Sequence, residues 1–169
     1  MIRLLSVLCC LGLLSSCAGY RLGGEKPSHL AKVKTIYVPL AKSRALFPRS
    51  EALTTNSVVD AITQDGTYLI GTATNSDATL LLTLDEINYK QTRSDRRDTL
   101  RSEELGLEVV ISWVLVDPLR PGDPLEAGKN KGRTRLFVEA NLQTARANAL
   151  PDALQRAAQA IVSRIADGV

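Results

Sequence analysis

The chain has one histidine, three cysteines and few aromatic residues, and these shortages exclude several classes of function. Of its 169 residues, 4% are aromatic, 23% charged and 44% hydrophobic. The single histidine, His29, lies among turn-forming residues, where we expect a solvated linker that cannot hold a catalytic partner in hydrogen-bond reach. Lys and Arg number 21 against 18 Asp and Glu, too small an excess for a nucleic-acid-binding stripe. We therefore expect no enzyme activity, no cofactor, no metal site and no nucleic-acid partner.

Two further features could take part in catalysis or ligand binding, but both are better explained as structural. Asp85 and Glu86 are adjacent, and neighbours on a strand point to opposite faces, so their carboxylates should not share a proton. We expect both to be solvent-facing charges. Trp113 belongs to a period-two apolar pattern, which indicates a core residue and not a stacking platform.

The N-terminus has the pattern of a bacterial lipoprotein signal peptide. Arg3 precedes an apolar run from Leu4 to Leu14. As a helix this run would span about 16 Å, about half of a bilayer's hydrocarbon core, so it predicts a signal sequence and not a transmembrane helix. The run ends in Leu-Ser-Ser-Cys, a lipobox, which predicts cleavage before Cys17 and attachment of lipid to its thiol.

This assignment predicts the organisation of the whole chain. Residues 1–16 would be the signal peptide, 17–30 a lipidated tether, and 31–169 a single domain. Cys9 and Cys10 leave with the signal, so the mature chain has no thiol for a disulfide or a metal. Ala18 follows the lipidated cysteine and favours sorting to the outer membrane, with the domain facing the periplasm.

The hydrophobic periodicity predicts a two-layer α+β sandwich, a mostly antiparallel sheet packed by two helices in the order β-α-β-β-β-β-α. Strands are predicted at 34–40, 68–73, 78–91, 105–116 and 134–140, and helices at 50–65 and 148–167.

Three local patterns define these boundaries. Alternate residues from Leu105 to Leu115 are apolar, as in a half-buried strand. The Pro- and Gly-rich residues 117–131 predict a loop. The last helix should begin at Asn148, with Pro151 in its first turn. Its apolar stripe consists of Leu150, Leu154, Ala157, Ala158, Ile161 and Ile165.

Two groups of basic residues are candidate anion-binding sites. The first lies at the connection between the two long predicted strands and contains Lys90, Arg93, Arg96, Arg97 and Arg101. The second enters the last predicted strand and contains Lys129, Lys131, Arg133 and Arg135. Guanidinium groups bind phosphate through paired hydrogen bonds, which suits a phosphorylated glycolipid.

Acidic neighbours leave a second interpretation of the first group open, a solvated hairpin tip whose charges satisfy one another. The two groups should also lie at opposite ends of an antiparallel strand. From both groups, the candidate lipopolysaccharide-binding residues are Arg93, Arg96, Arg97, Arg101, Lys131 and Arg133.

In three segments the sequence resembles the LptE family, outer-membrane lipoproteins of lipopolysaccharide assembly. These segments are Ser16 to Leu22, Glu104 to Ile111 and Ala149 to Ala158. The resemblance implies a two-helix sandwich that plugs an LptD-like β-barrel and assists its assembly and lipopolysaccharide insertion. The implied partners are that barrel, lipopolysaccharide and, through the lipid anchor, the membrane. The alternative is a lipid-anchored regulatory or docking module for another envelope protein.

Replacing Cys17 with Ala should abolish lipid attachment, because the lipobox thiol is the only group that can receive the diacylglycerol. Metabolic labelling with a palmitate analogue tests this by comparing the wild type with Cys17→Ala. Equal labelling of the two proteins would contradict the lipobox assignment.

Overall fold

The computed structural model describes residues 26–94, 102–137 and 141–168. The described chain opens with a 3-10 turn at Ser28–Leu30. Its strands are β1 (Thr35–Tyr37), β2 (Lys42–Ser43), β3 (Leu69–Ile70), β4 (Ala78–Ser94), β5 (Ser102–Asp117) and β6 (Arg120–Phe137). Its helices are α1 (Ser50–Asp65), which follows β2, and α2 (Leu142–Asp167), which ends the chain.

The strands form one mixed sheet in the order β3-β1-β4-β5-β6. The short strand β2 lies outside this order and also pairs with β4. The long strands β4, β5 and β6 pair antiparallel, whereas the short β1, β2 and β3 pair parallel. Both helices pack on one face of this sheet and against each other. The prediction of an α+β sandwich with two helices is confirmed, with one more short strand than expected.

The core lies between that sheet face and the helices. On β5 the alternate residues from Leu107 to Leu115 are buried, including Trp113 at 1% exposure. All six residues of the predicted stripe on α2 are fully buried. The period-two and helical patterns therefore identified the core faces of both elements correctly.

The boundaries of the two helices were predicted with different success. The predicted limits of α1 are observed, and Gly66 ends it at φ +76° with its N–H donating to the Ile62 carbonyl at 3.0 Å. α2 instead begins before the predicted Asn148. Asn141 is its N-cap, and the side-chain Oδ1 of Asn141 accepts a hydrogen bond from the Thr144 N–H at 3.2 Å. Pro151 therefore lies inside the helix and not in its first turn.

The predicted loop at 117–131 is wrong, because most of it belongs to β6. Proline is tolerated on an edge strand, where its missing N–H leaves no ladder bond unmade. Pro121 and Pro124 lie near the start of this edge strand, where the pairing of β5 with β6 shifts register.

Two glycines of β6 make room for bulky neighbours instead of forming turns. A Cβ at Gly128 would lie 2.7 Å from Cζ2 of Trp113. A Cβ at Gly132 would overlap the carbonyl oxygen of Ala153 and lie 2.6 Å from the Ala157 nitrogen. The glycines thus allow the indole ring and α2 to approach the β6 backbone directly.

The first described residues are packed onto the sandwich. Leu30 is fully buried, and His29 Nε2 lies 3.4 Å from a Glu126 carboxylate oxygen, with about half of its side chain exposed. His29 is therefore docked on β6 and is not part of a free linker. The division into signal peptide, tether and domain stays a prediction, since residues 1–25 lie outside the described chain. Within the described ranges, no helix is long and apolar enough to span a membrane.

Replacing Gly132 with Ala should destabilise the fold by about 1–3 kcal/mol, because a Cβ there forces α2 away from the sheet. Gly122→Ala on the same strand is the matched control, since nothing lies within 4 Å of its Cβ position. Thermal and denaturant unfolding of the two variants measures the difference. Equal stabilities would show that the close helix–strand contact does not form.

Candidate functional site

The face of the sheet opposite the helices carries a row of cations along β6. Register places Lys129 beside Ser112, Lys131 beside Val110, and Arg133 beside Glu108. Arg135 continues the row beside Gly106. Because alternate strand residues share a face, the four side chains lie on the open side of the sheet. We call these four residues the basic row.

Each member of the basic row has a carboxylate partner on β5 or, for Lys129, on β4, two strands away. Lys131 Nζ lies 3.0 Å and Arg133 Nε 2.6 Å from the two oxygens of Glu108. Arg135 lies 3.4 Å from Glu104, and Lys129 lies 3.1 Å from Asp85. The hydrogen bond from Arg133, followed by that from Lys131, holds the pKa of Glu108 below its usual value. Glu108 therefore stays ionised beneath two cations.

Cations and carboxylates occupy different depths on this face. The side chains of the basic row are 51–73% exposed, whereas their carboxylate partners are 7–25% exposed. Along the basic row, the charged groups that meet solvent are therefore cationic. An Lys or Arg with one carboxylate contact retains further N–H donors, so an approaching anion meets unfilled donors before it meets a carboxylate.

Asp85 corrects the expectation that it is a solvent-facing charge. The pairing of β4 with β5 skips from Leu84 to Glu86, so Asp85 sits at a β-bulge, and bulges re-aim side chains. Its carboxylate accepts a hydrogen bond from Ser112 and ion pairs with Arg44 and Lys129, each at 3.1 Å. The Ser112 hydrogen bond is the main reason that the pKa of Asp85 is lowered, and Lys129 adds to it.

The bulge also breaks the alternation that should have separated Asp85 from Glu86. Glu86 pairs with Val110, on the open face, and accepts a hydrogen bond from Asn88 at 2.7 Å. Both carboxylates therefore lie on the open side of the sheet. The Asp85 side chain is covered by its cationic partners, while Glu86 is exposed as expected.

A recess of about 510 Å³ opens on this face over Gly106. Gly106 pairs with Lys90 on one side and Arg135 on the other, so the missing side chain leaves a gap between two cations. Arg133, Thr92 and further residues of β4 and β6 complete its wall. The recess is thus lined by three cationic side chains and the Glu108 carboxylate, together with hydroxyl and amide groups.

Arg93 of the first predicted basic group lies towards the same end of the sheet as Arg133 and Arg135 of the second. Arg93 pairs with Glu104, and Glu104 pairs with Phe137 at the end of β6. Arg135 and Arg133 therefore lie close to the end that carries the β4–β5 connection. The expectation of opposite ends is wrong, because β6 begins far earlier than predicted and its register carries the basic row towards that end.

The candidate lipopolysaccharide-binding residues lie partly within the described chain. Lys131 and Arg133 lie on the open face, as described above. Arg93 is in β4, but its side chain is not among those described, and Arg96, Arg97 and Arg101 lie outside the described residues. Sequence reasoning missed Arg44, and it left Lys90 and Arg135 out of the candidate set although both belong to the predicted basic groups. A glycine at position 106 within an alternating strand was the available signal for the recess.

No group of three or more His, Cys, Asp or Glu residues in the described part of the chain is arranged to hold a metal ion. The side chains of the open face offer hydrogen bonds and charge. Their arrangement suits reversible binding of a polyanion.

The sandwich is shared with several solved structures. A PelC dodecamer from Paraburkholderia phytofirmans matches with a TM-score of 0.55 at 12% identity, covering 84% of this chain and 95% of that one. Lipoprotein B from Nitrosomonas europaea matches with a TM-score of 0.54 at 15% identity, covering 88% and 90%. The hypothetical protein CT253 from Chlamydia trachomatis matches with a TM-score of 0.56 at 9% identity, covering 79% and 95%. At these identities the likeness shows the fold alone.

The family of this chain is shown by the match of its sequence to a family model. The model of the LptE family, described as lipopolysaccharide-assembly, matches residues 33–165. The chain therefore belongs to the LptE family and is an LptE-like lipoprotein, as its sequence resemblance indicated. No protein of curated function matches it closely enough to count as a relative.

Proposed function

We propose that this protein is a non-catalytic outer-membrane lipoprotein that binds lipopolysaccharide and plugs an LptD-like β-barrel, assisting its assembly and lipopolysaccharide insertion. Cys17 would carry the lipid anchor, and the domain would face the periplasm. Membership of the lipopolysaccharide-assembly family supports the class of function. The single observation that carries the ligand assignment is the cationic outer layer of the open sheet face.

The chemistry of this layer matches a phosphorylated glycolipid. Phosphate groups take paired hydrogen bonds from guanidinium, and sugar hydroxyls take hydrogen bonds from Thr and Asn side chains. The recess over Gly106 offers guanidinium donors from Arg133 and Arg135, an amide N–H from Asn88, and the Thr92 hydroxyl oxygen, which can accept a hydrogen bond from a sugar hydroxyl. The arginines of the β4–β5 connection are proposed to extend this site beyond the end of the sheet.

The barrel assignment is supported by the polar character of the open sheet face. The lumen of an outer-membrane barrel is wet and lined by polar side chains. A plug needs polar surfaces on more than one side. Here the sheet side presents the basic row, and the exposed side of α1 presents polar residues such as Asp60.

Removing two cations of the basic row should weaken lipopolysaccharide binding and flatten its salt dependence, because salt competes with phosphate. The variants are Lys131→Gln with Arg133→Gln, and the four-Gln variant of Arg93, Arg96, Arg97 and Arg101. Exposed ion pairs contribute only about 0–1 kcal/mol each, so the loss should be partial in both. Affinity is measured across a series of salt concentrations.

The matched control for this experiment is Lys32→Gln with Lys34→Gln. It removes two exposed lysines near β1, away from the basic row, and its affinity and salt dependence should stay at wild-type values. Thermal unfolding checks that every variant is folded. An equal loss in the control would show only a general charge effect, and unchanged affinity in both test variants would contradict the proposed site.

A photocrosslinker at Phe137 or at Asp60 should trap the same heat-modifiable membrane protein. Phe137 is exposed at the end of β6, and Asp60 is exposed on α1. Because a lumen surrounds its plug, both sides of the sandwich should meet one partner. Crosslinks from both positions to soluble periplasmic proteins alone would favour the regulatory or docking alternative.

A further inference from the structure

The described chain begins near one end of the sandwich. This end is formed by the 28–30 turn, residues 72–77 and the β5–β6 turn at 117–120, which surround a recess of about 510 Å³. We call this the entry end. The β4–β5 connection lies at the opposite end, because β5 runs from Ser102 down to Asp117.

The chain is held firmly where it reaches the entry end. Lys26 Nζ donates to the Val33 carbonyl at 3.0 Å and lies 4.4 Å from the centre of the Tyr68 ring. Leu30 is fully buried, and His29 contacts Glu126. The position of Lys26 relative to the domain is therefore set by several independent contacts.

The distance from Lys26 to the predicted lipid is short compared with the domain. Cys17 precedes Lys26 by nine residues, which span at most about 30 Å when fully extended. The sixteen residues of β5 span about 50 Å. A domain standing with its β4–β5 connection on the anchored leaflet would hold Lys26 about 50 Å away, beyond the reach of this segment.

The entry end presents apolar side chains to solvent. Leu119, in the β5–β6 turn, is 90% exposed. Asp117 fixes its outward position, since its carboxylate accepts hydrogen bonds from the Leu119 N–H at 2.8 Å and from the Arg120 guanidinium at 3.3 Å. Leu69 and Ile70 of β3 are also exposed near this end.

We propose that in the free lipoprotein the entry end rests on the phospholipid leaflet that holds the Cys17 lipid, with Leu119 inserted among the headgroups. Burial of an exposed leucine at a membrane interface is favourable, and the anchor supplies the proximity. The end of the sheet where β4 ends at Ser94 and β5 begins at Ser102 then lies away from that leaflet, with Arg133 and Arg135 in that half of the sheet, available to a ligand or barrel. This inference rests on the proposed lipidation of Cys17.

The test uses the lipidated full-length mature protein in phospholipid vesicles. Once Cys17 is acylated, the mature chain has no other cysteine, so Leu119→Cys provides a single site for an environment-sensitive dye. Leu46→Cys is the matched control, because Leu46 is fully exposed but lies beside Ile87 and Tyr89. Ile87 is nine residues along β4 from its start at Ala78, about 30 Å from the entry end.

Vesicles containing phospholipids with a nitroxide near the headgroup should quench the dye at position 119 severalfold and leave the dye at position 46 unchanged. Equal quenching at the two positions, or stronger quenching at position 46, would overturn the proposed orientation. The intact mass of the same samples separates the two hypotheses. A mass without lipid overturns both the anchor and this inference, whereas lipidated protein with equal quenching overturns the orientation alone.

Discussion

The close contact between α2 and β6 at Gly132 is the constraint on which the rest of the structure depends. Any side chain at this position would overlap the backbone of α2 near Ala153. Ala153, Ala157 and Ala158 are small and fully buried, so the helix can lie directly on the edge strand. Because α2 covers the face of β6 to which Gly132 belongs, the residues that alternate with Gly132 face the open side of the sheet. They include the four cations of the basic row.

The carboxylates of the open face lie deeper than the cations, which explains how this face can be stable and still bind anions. Glu108 and Asp85 lie beneath the cations, and hydrogen bonds lower the pKa of each carboxyl, so both remain ionised. They hold the long cationic side chains in place without covering their outer donors. Lysine and arginine along β6 also protect this long edge from pairing with another chain, a common use of charge on edge strands.

Local periodicity correctly predicted the buried faces of the well-packed elements. The prediction failed in β6, where glycine and proline occur within a strand and not in a loop. The alternation along β5 and the stripe on α2 reflect burial on one face, and both were read correctly. Residues 117–131, which include Gly128 and the prolines of β6, were predicted as a loop, because glycine and proline most often mark turns. Here Gly128 and Gly132 accommodate Trp113 and α2, which is a property of the packed neighbours and not of the local sequence.

The sequence alone determined the lipobox, the α+β class, the family resemblance and the core stripes, since each depends on residues close together in the chain. Only the tertiary structure decided that Arg133 and Arg135 lie in the half of the sheet where β5 begins, that a bulge places Asp85 beneath Arg44 and Lys129 on the open face, and that Gly106 opens a recess between Lys90 and Arg135. These features depend on register between strands distant in sequence. A pattern within one strand reports which residues share a face, but the residues beside them are set by pairing across the sheet.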